Sequence, residues 1–284
     1  MIILTQVLYI INKIGCNIIC LFSIFITGDI MSNFIYAFIL STLAGLSTLI
    51  GFIPLLFKLK NEKYIILASL SFASGVIICV SFTDLIPESF NLLTSIFKGF
   101  PALLFLLIFI CLGVIISMLI DKFLPSNDSK SISNKKLYRL GLVSMFAIIM
   151  HNIPEGVATF LSSSTNMSLG LSLALAISFH NIPEGISIAI PIFFSTKSRF
   201  KAFLYTLISG LSEPLGAILA YLFLSSIINN FIMSVILSII AGIMIHISIY
   251  ELLTESLSYK KRRLTIIFFS IGFIFMLISH LLLG

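Results

Sequence analysis

Eight long apolar runs separated by short polar links leave this chain few folds to choose from. A helix needs about 20 apolar residues to cross the hydrocarbon core of a bilayer. The runs Asn33–Phe57, Tyr64–Thr83, Gly99–Ile120, Leu140–Ser163, Leu169–Ser195, Ala202–Ser226, Phe231–Ser256 and Leu264–Leu283 each reach that length. Continuous apolar stretches suit helices, whereas an outer-membrane barrel needs shorter segments of alternating polarity. Composition agrees: 59% of the 284 residues are hydrophobic and 10% are charged, against roughly 25% charged in a soluble domain. The chain reads as an all-α integral membrane protein, an eight-transmembrane-helix bundle with no soluble domain.

The formal net charge of +6 does not point to nucleic acid, because the basic residues sit in the links. Lys58, Lys60 and Lys63 follow the first run, and Lys122, Lys130, Lys135, Lys136 and Arg139 follow the third. Lys197, Arg199 and Lys201 follow the fifth, and Lys260, Lys261, Arg262 and Arg263 the seventh. Only Lys13 and Lys98 lie elsewhere. The positive-inside rule places these links in the cytoplasm, with both ends of the eight-span unit outside a plasma membrane. The lipid bilayer is therefore one partner, and a homodimer is compatible with the pattern. The unit covers residues 31–284, with Asp121–Lys136 as a flexible cytoplasmic loop rich in Ser, Asn and Lys. Residues 1–30 stand apart. Val7–Ile26 is apolar but interrupted by Asn12, Lys13 and Asn17, and lacks the features of a secretory signal. It is either an extra helix or a stretch upstream of a true start at Met31. Cys16, Cys20, Cys79 and Cys111 show no paired framework and read as small apolar residues.

The costly residues are in the middle. The hexapeptide HNIPEG occurs at His151–Gly156 and again at His180–Gly185. His151 lies about 18 Å along a helix from Arg139, near the centre of the bilayer. Glu155, Glu184 and Glu213 are equally spaced along the chain, one span and a tight turn apart, so they return to similar depth. At i,i+4, His151 shares a helix face with Glu155, and His180 with Glu184; Asn152 and Asn181 lie three residues before the same glutamates. Pro154, Pro183 and Pro214 each remove a backbone donor beside this level.

No Lys or Arg lies at the depth of Glu155, Glu184 and Glu213. Unpaired carboxylates there cost several kcal/mol each, so protons or a bound cation must neutralise them. Simple hydrogen-bonded glue between helices does not require carboxylates. Imidazole plus carboxylate suits Zn²⁺ and Fe²⁺. Flanking the centre, Asp84 and Glu88 form an outer acidic pair, while His246, Glu251 and Glu255 lead toward the cytoplasmic end of span seven. Such an order suits an ion path, although acids at helix ends are commonly just solvated. His280 reads as an ordinary polar residue. An intramembrane zinc hydrolase is the rival reading. It needs three ligands and an open position for water, and HNIPEG lacks the two histidines of the H-E-x-x-H helix.

With its two HNIPEG copies followed by GLSEPLGA at Gly210–Ala217, the chain resembles the ZIP (Zrt-, Irt-like) family of metal-ion transporters, and within it the bacterial ZupT-like branch. The resemblance covers about Met31 to the C-terminus. It implies an inverted pseudo-symmetric arrangement of three, two and three helices (3+2+3) around a binuclear site. One metal would be held by His151, Glu155, His180 and Glu184. The other would be held by Asn152, Glu155, Asn181, Glu184 and Glu213. It implies uptake of Zn²⁺, with Fe²⁺, Mn²⁺ and Cd²⁺ as further candidates, as transported ions and with no catalytic cofactor. DLIPES (Asp84–Ser89) and HISIYELLTES (His246–Ser256) match the family's pathway positions less sharply. The loop after span three departs from many relatives in having no histidine.

Overall fold

The computed structural model describes residues 30–57, 61–123, 134–224 and 229–283. Residues 1–29, most of the 121–136 loop and the end expected for span six lie outside them. Eight helices among the described residues are long and apolar enough to cross a membrane. They are α1 (Ile35–Leu56), α2 (Glu62–Thr94), α3 (Phe100–Lys122), α4 (Lys135–Ser164), α5 (Met167–Thr196), α6 (Arg199–Leu222), α7 (Asn230–Ser258) and α8 (Arg262–Leu282). The chain is a multi-pass membrane protein.

The expected limits hold within a few residues except for α2, which runs a further three turns beyond Thr83. The acid Asp84 looks like an end to a hydropathy reading. In fact it sits in a wide π-type turn, Ser81–Leu85, after which the helix resumes with Pro87 in its first turn. Pro87 brings no N–H to the ladder, and it sits where the wide turn gives way to regular helix. A matching wide turn, Ile247–Leu253, interrupts α7. Such turns are often found at functional sites. Pro154 and Pro183, by contrast, lie inside helices that continue through them.

The helices sort into two four-helix bundles. One contains α1, α4, α5 and α6, and the other α2, α3, α7 and α8. Within each, glycines let backbones touch. A Cβ on Gly156 (α4) would run into the Glu213 carbonyl, and one on Gly216 (α6) into the Ile153 carbonyl. The same reciprocal pattern joins α5 to α1 through Gly185 against the Thr48 carbonyl and Gly51 against the Ile182 carbonyl. In the other bundle Gly75 and Gly272 tie α2 to α8, and Gly113 and Gly242 tie α3 to α7. Small residues at helix contacts are what drive association where lipid offers no hydrophobic penalty.

These pairs expose an internal repeat. One register shift maps α2 onto α7, pairing Asp84 with Glu251, Glu88 with Glu255 and Ser89 with Ser256. Under it the hydrogen-bonded pair Ser71–Ser256, at 2.5 Å, corresponds to Ser238–Ser89, also at 2.5 Å. In the same way α1 corresponds to α6, α3 to α8 and α4 to α5. The inverted pseudo-symmetry is thus visible contact by contact.

Candidate metal centre

Asn166 sets the register of the two HNIPEG copies. It closes α4 through its N–H to the Ser162 carbonyl at 2.9 Å. Its side-chain oxygen then caps α5, accepting from the N–H groups of Ser168 at 2.9 Å and Leu169 at 3.2 Å. A single residue therefore reverses the chain almost midway between His151 and His180. The antiparallel helices bring the two imidazoles to 5.9 Å between ring centroids.

Their shared partner is Glu155. Its Oε1 is 2.7 Å from His180 Nε2 and 3.1 Å from His151 Nε2. His151 Nε2 is also 3.6 Å from Glu184 Oε1. Ligand atoms of His151, Glu155 and His180 all lie within 4.8 Å of one another. A tetrahedral zinc with bonds of about 2.0–2.1 Å spaces its donors a little over 3 Å apart. The 3.1 and 3.6 Å spacings come within a few tenths of an ångström of that, and the 2.7 Å spacing is shorter by more than half an ångström. His151, His180 and Glu184 are buried, and Glu155 nearly so.

Beside this group lies a second one. Asn181 Nδ2 donates to Glu213 Oε2 and to the Ala44 carbonyl, each at 2.9 Å. Asn152 Nδ2 donates to the Ser209 carbonyl at 3.3 Å, the counterpart of the Asn181–Ala44 bond under the repeat. The amides are thereby oriented with their oxygens left over. Asn152 Oδ1, Asn181 Oδ1, Glu155 Oε2, Glu184 Oε2 and Glu213 Oε1 are all buried without a hydrogen-bond partner, as is His180 Nδ1. Buried acceptors normally find donors. A concentration of orphaned oxygens with no buried Lys or Arg among them suits a cation. On α1, Thr48 holds the place that Glu213 holds on α6, and its buried Oγ1 is likewise unpartnered. Composition and spacing gave no signal for Thr48; only the glycine contacts reveal the correspondence.

The flanking residues divide. Asp84 Oδ1 is bonded to His280 Nδ1 at 2.6 Å, so His280 is not the bland residue its position suggested. Glu88 is exposed. At the other end His246 is buried, with Nδ1 at 2.9 Å from Ser117 Oγ and its ring stacked on Tyr250. The wide turn of α7 separates its two acids. Glu251 meets Asp121 of α3, and Glu255 meets Lys136 of α4 at 2.6 Å, out of hydrogen-bond alignment. Burial, with Glu255 and Glu62 near, pushes the Tyr259 phenol up to about 12, so it stays neutral beside these acids.

Comparison with known proteins agrees with this architecture. A family model described as ZIP Zinc transporter matches residues 126–280. The Zinc transporter ZupT of Clostridium perfringens is 37% identical over 280 residues, covering 90% of this chain and 98% of the relative. That of Streptococcus mutans is 40% identical over 256 residues, covering 87% and 97%. That of Chlorobium luteolum is 38% identical over 266 residues, covering 89% and 100%.

Proposed function

Because this chain belongs to the ZIP family of zinc transporters, we propose that it carries Zn²⁺ across the plasma membrane into the cytoplasm, through ligands supplied by His151, Asn152, Glu155, His180, Asn181, Glu184 and Glu213. The carrying observation is the convergence of both imidazoles on Glu155 Oε1, surrounded by orphaned carboxylate and amide oxygens. A divalent ion would supply the charge that these buried groups lack, and would displace any proton they share. Membership of a transporter family, whose curated relatives are named as zinc transporters, decides against the intramembrane hydrolase.

Two metals are expected. His151, Glu155, His180 and Glu184 form one ligand set; Asn152, Asn181 and Glu213 extend it to a second, with Glu155 and Glu184 bridging. The basic links give the orientation, with the α3–α4 end cytoplasmic. Asp84, Glu88 and His280 would then line the outer mouth, and His246, Glu251 and Glu255 the inner one. Rocking of one bundle against the other around the site would expose it to each side in turn. The donor set also accommodates Fe²⁺, Mn²⁺ and Cd²⁺.

The test is zinc uptake by purified protein in proteoliposomes, with the other three ions as competitors. Uptake should vanish in a variant carrying both Glu155→Ala and Glu184→Ala. Undiminished uptake in that variant would dismiss the assigned site.

A further inference from the structure

The two bundles are bonded differently inside and between. Inside them, buried polar groups pair: Asn181 with Ala44, Ser47 with Ser178, Ser74 with Ser248 and Ser117 with His246. Between them the core is apolar, with Ile66, Leu70 and Ile77 of α2 in one cluster with Ile188, Ile190 and Ile192 of α5. Ion pairs do cross from one bundle to the other, and among the described residues they all lie at the end with the basic links. Lys136 Nζ meets Glu255 Oε2 at 2.6 Å, Arg139 Nη2 meets Asp121 Oδ2 at 2.6 Å, and Lys197 Nζ meets Glu62 Oε1 at 2.8 Å. Arg139 also donates to the Asp121 carbonyl.

The internal repeat shows that this arrangement is one-sided. Asp84–His280 at one mouth corresponds to Glu251–Asp121 at the other. Both pairs are made within the bundle of α2, α3, α7 and α8, but only the second has a cation of the other bundle, Arg139, set against it. The repeat maps Arg139 of α4 onto Ser168 of α5, so α5 offers no cation at the position where α4 offers one. Charge breaks the symmetry where the bundles must part for release.

On the transport reading above, we propose that Lys136 and Arg139 are tethered counter-cations. They occupy the carboxylates of Glu255 and Asp121 and hold the inner mouth closed until a divalent ion takes their place. Each ammonium or guanidinium balances a single negative charge. A divalent ion reaching Asp121, Glu251 and Glu255 binds several carboxylates at once and frees both cations to solvent. Lys136 and Arg139 are 65% and 40% exposed at their side chains. Their partners Glu255 and Asp121 are 6% and 28% exposed, so the acids stay in the protein while the cations can swing back into water, which lets a latch of this kind release.

The reporter is a cysteine at Ser144, buried on α4 and deeper than Arg139, in full-length protein whose native cysteines are replaced by Ser or Ala. Its reaction rate with N-ethylmaleimide is measured with and without Zn²⁺, alongside zinc uptake in proteoliposomes. Lys136→Gln with Arg139→Gln should raise the zinc-free rate about fivefold, and zinc should add little more. In the protein with native charges zinc alone should produce the rise. The exchange Lys136→Glu with Glu255→Lys should restore slow labelling and its zinc response. If the neutral pair does not fold, the exchange variant decides alone, and fast labelling there overturns the latch. Unchanged labelling in the neutral pair, with zinc uptake intact, overturns the latch and leaves the transport reading standing. Absence of uptake by the unaltered chain overturns the transport reading, and the latch with it.

Discussion

Asn181 spends both amide protons at once, one on Glu213 and one on the carbonyl of Ala44, each across 2.9 Å. The amide thus joins α5 to both α6 and α1 while its own oxygen stays unpaired. Asn181→Ala should leave Glu213 without its donor and lower uptake at limiting zinc by roughly tenfold, the scale of losing a hydrogen bond to a charged group. Initial rates from a zinc-sensitive dye trapped in proteoliposomes measure this. An unaltered rate would remove Asn181 from the site.

Glu155 is the point where the two histidines meet, so its loss should disable both together. Glu155→Ala is expected to weaken zinc binding by at least about 100-fold, as measured by equilibrium dialysis of detergent-solubilised protein. Glu88→Ala, at an exposed position, should change binding at the central site little. Equal effects from the two would contradict the assignment.

The final glycine of each hexapeptide serves packing rather than ligation. Gly156→Ala pushes a methyl at the Glu213 carbonyl, and Gly185→Ala pushes one at the Thr48 carbonyl. Each should cost about 1–3 kcal/mol, and the two should be similar because the repeat makes them equivalent. Thermal unfolding in detergent gives the comparison. A Tm as high as the native one would show that the helices can move apart freely.

His280→Ala takes the partner from Asp84 at the mouth opposite the basic links. The concentration giving half-maximal uptake should rise by about two- to fivefold, in keeping with a partly exposed ion pair, while the maximal rate stays as it was. A fall in maximal rate alone would place His280 in the moving parts instead.

Much of this was legible in the chain itself. The eight runs, their alternating basic links and the two hexapeptides required no coordinates, because bilayer thickness and helical spacing are strong constraints. His151, Glu155 and His180 come together as their depth and faces predict, with Glu184 beside them. The far half of α2 was hidden, since a hydropathy reading treats Asp84 as an end, whereas a wide turn absorbs it within a continuing helix. His280 was hidden because its partner is distant in sequence. Lys136 and Arg139 looked like orientation signals, which explains their sign but not their contacts with Glu255 and Asp121. Thr48 is an ordinary residue until the repeat aligns it with Glu213.

The order of the helices has a consequence for how the protein is made. One bundle draws on α1 and then α4, α5 and α6; the other draws on α2 and α3, then α7 and α8. During synthesis the first bundle can close once α6 leaves the ribosome. At that moment α2 and α3 have neither of their main neighbours, and Gly75, Gly113, Ser71 and Ser89 lack the α7 and α8 partners they have in the complete fold. A nascent chain stopped after α6 is therefore half finished in a particular way, with all four helices of the bundle that carries both hexapeptides and only two of the four helices of the other. Insertion of α7 and α8 completes the bundle that packs against the one carrying both hexapeptides.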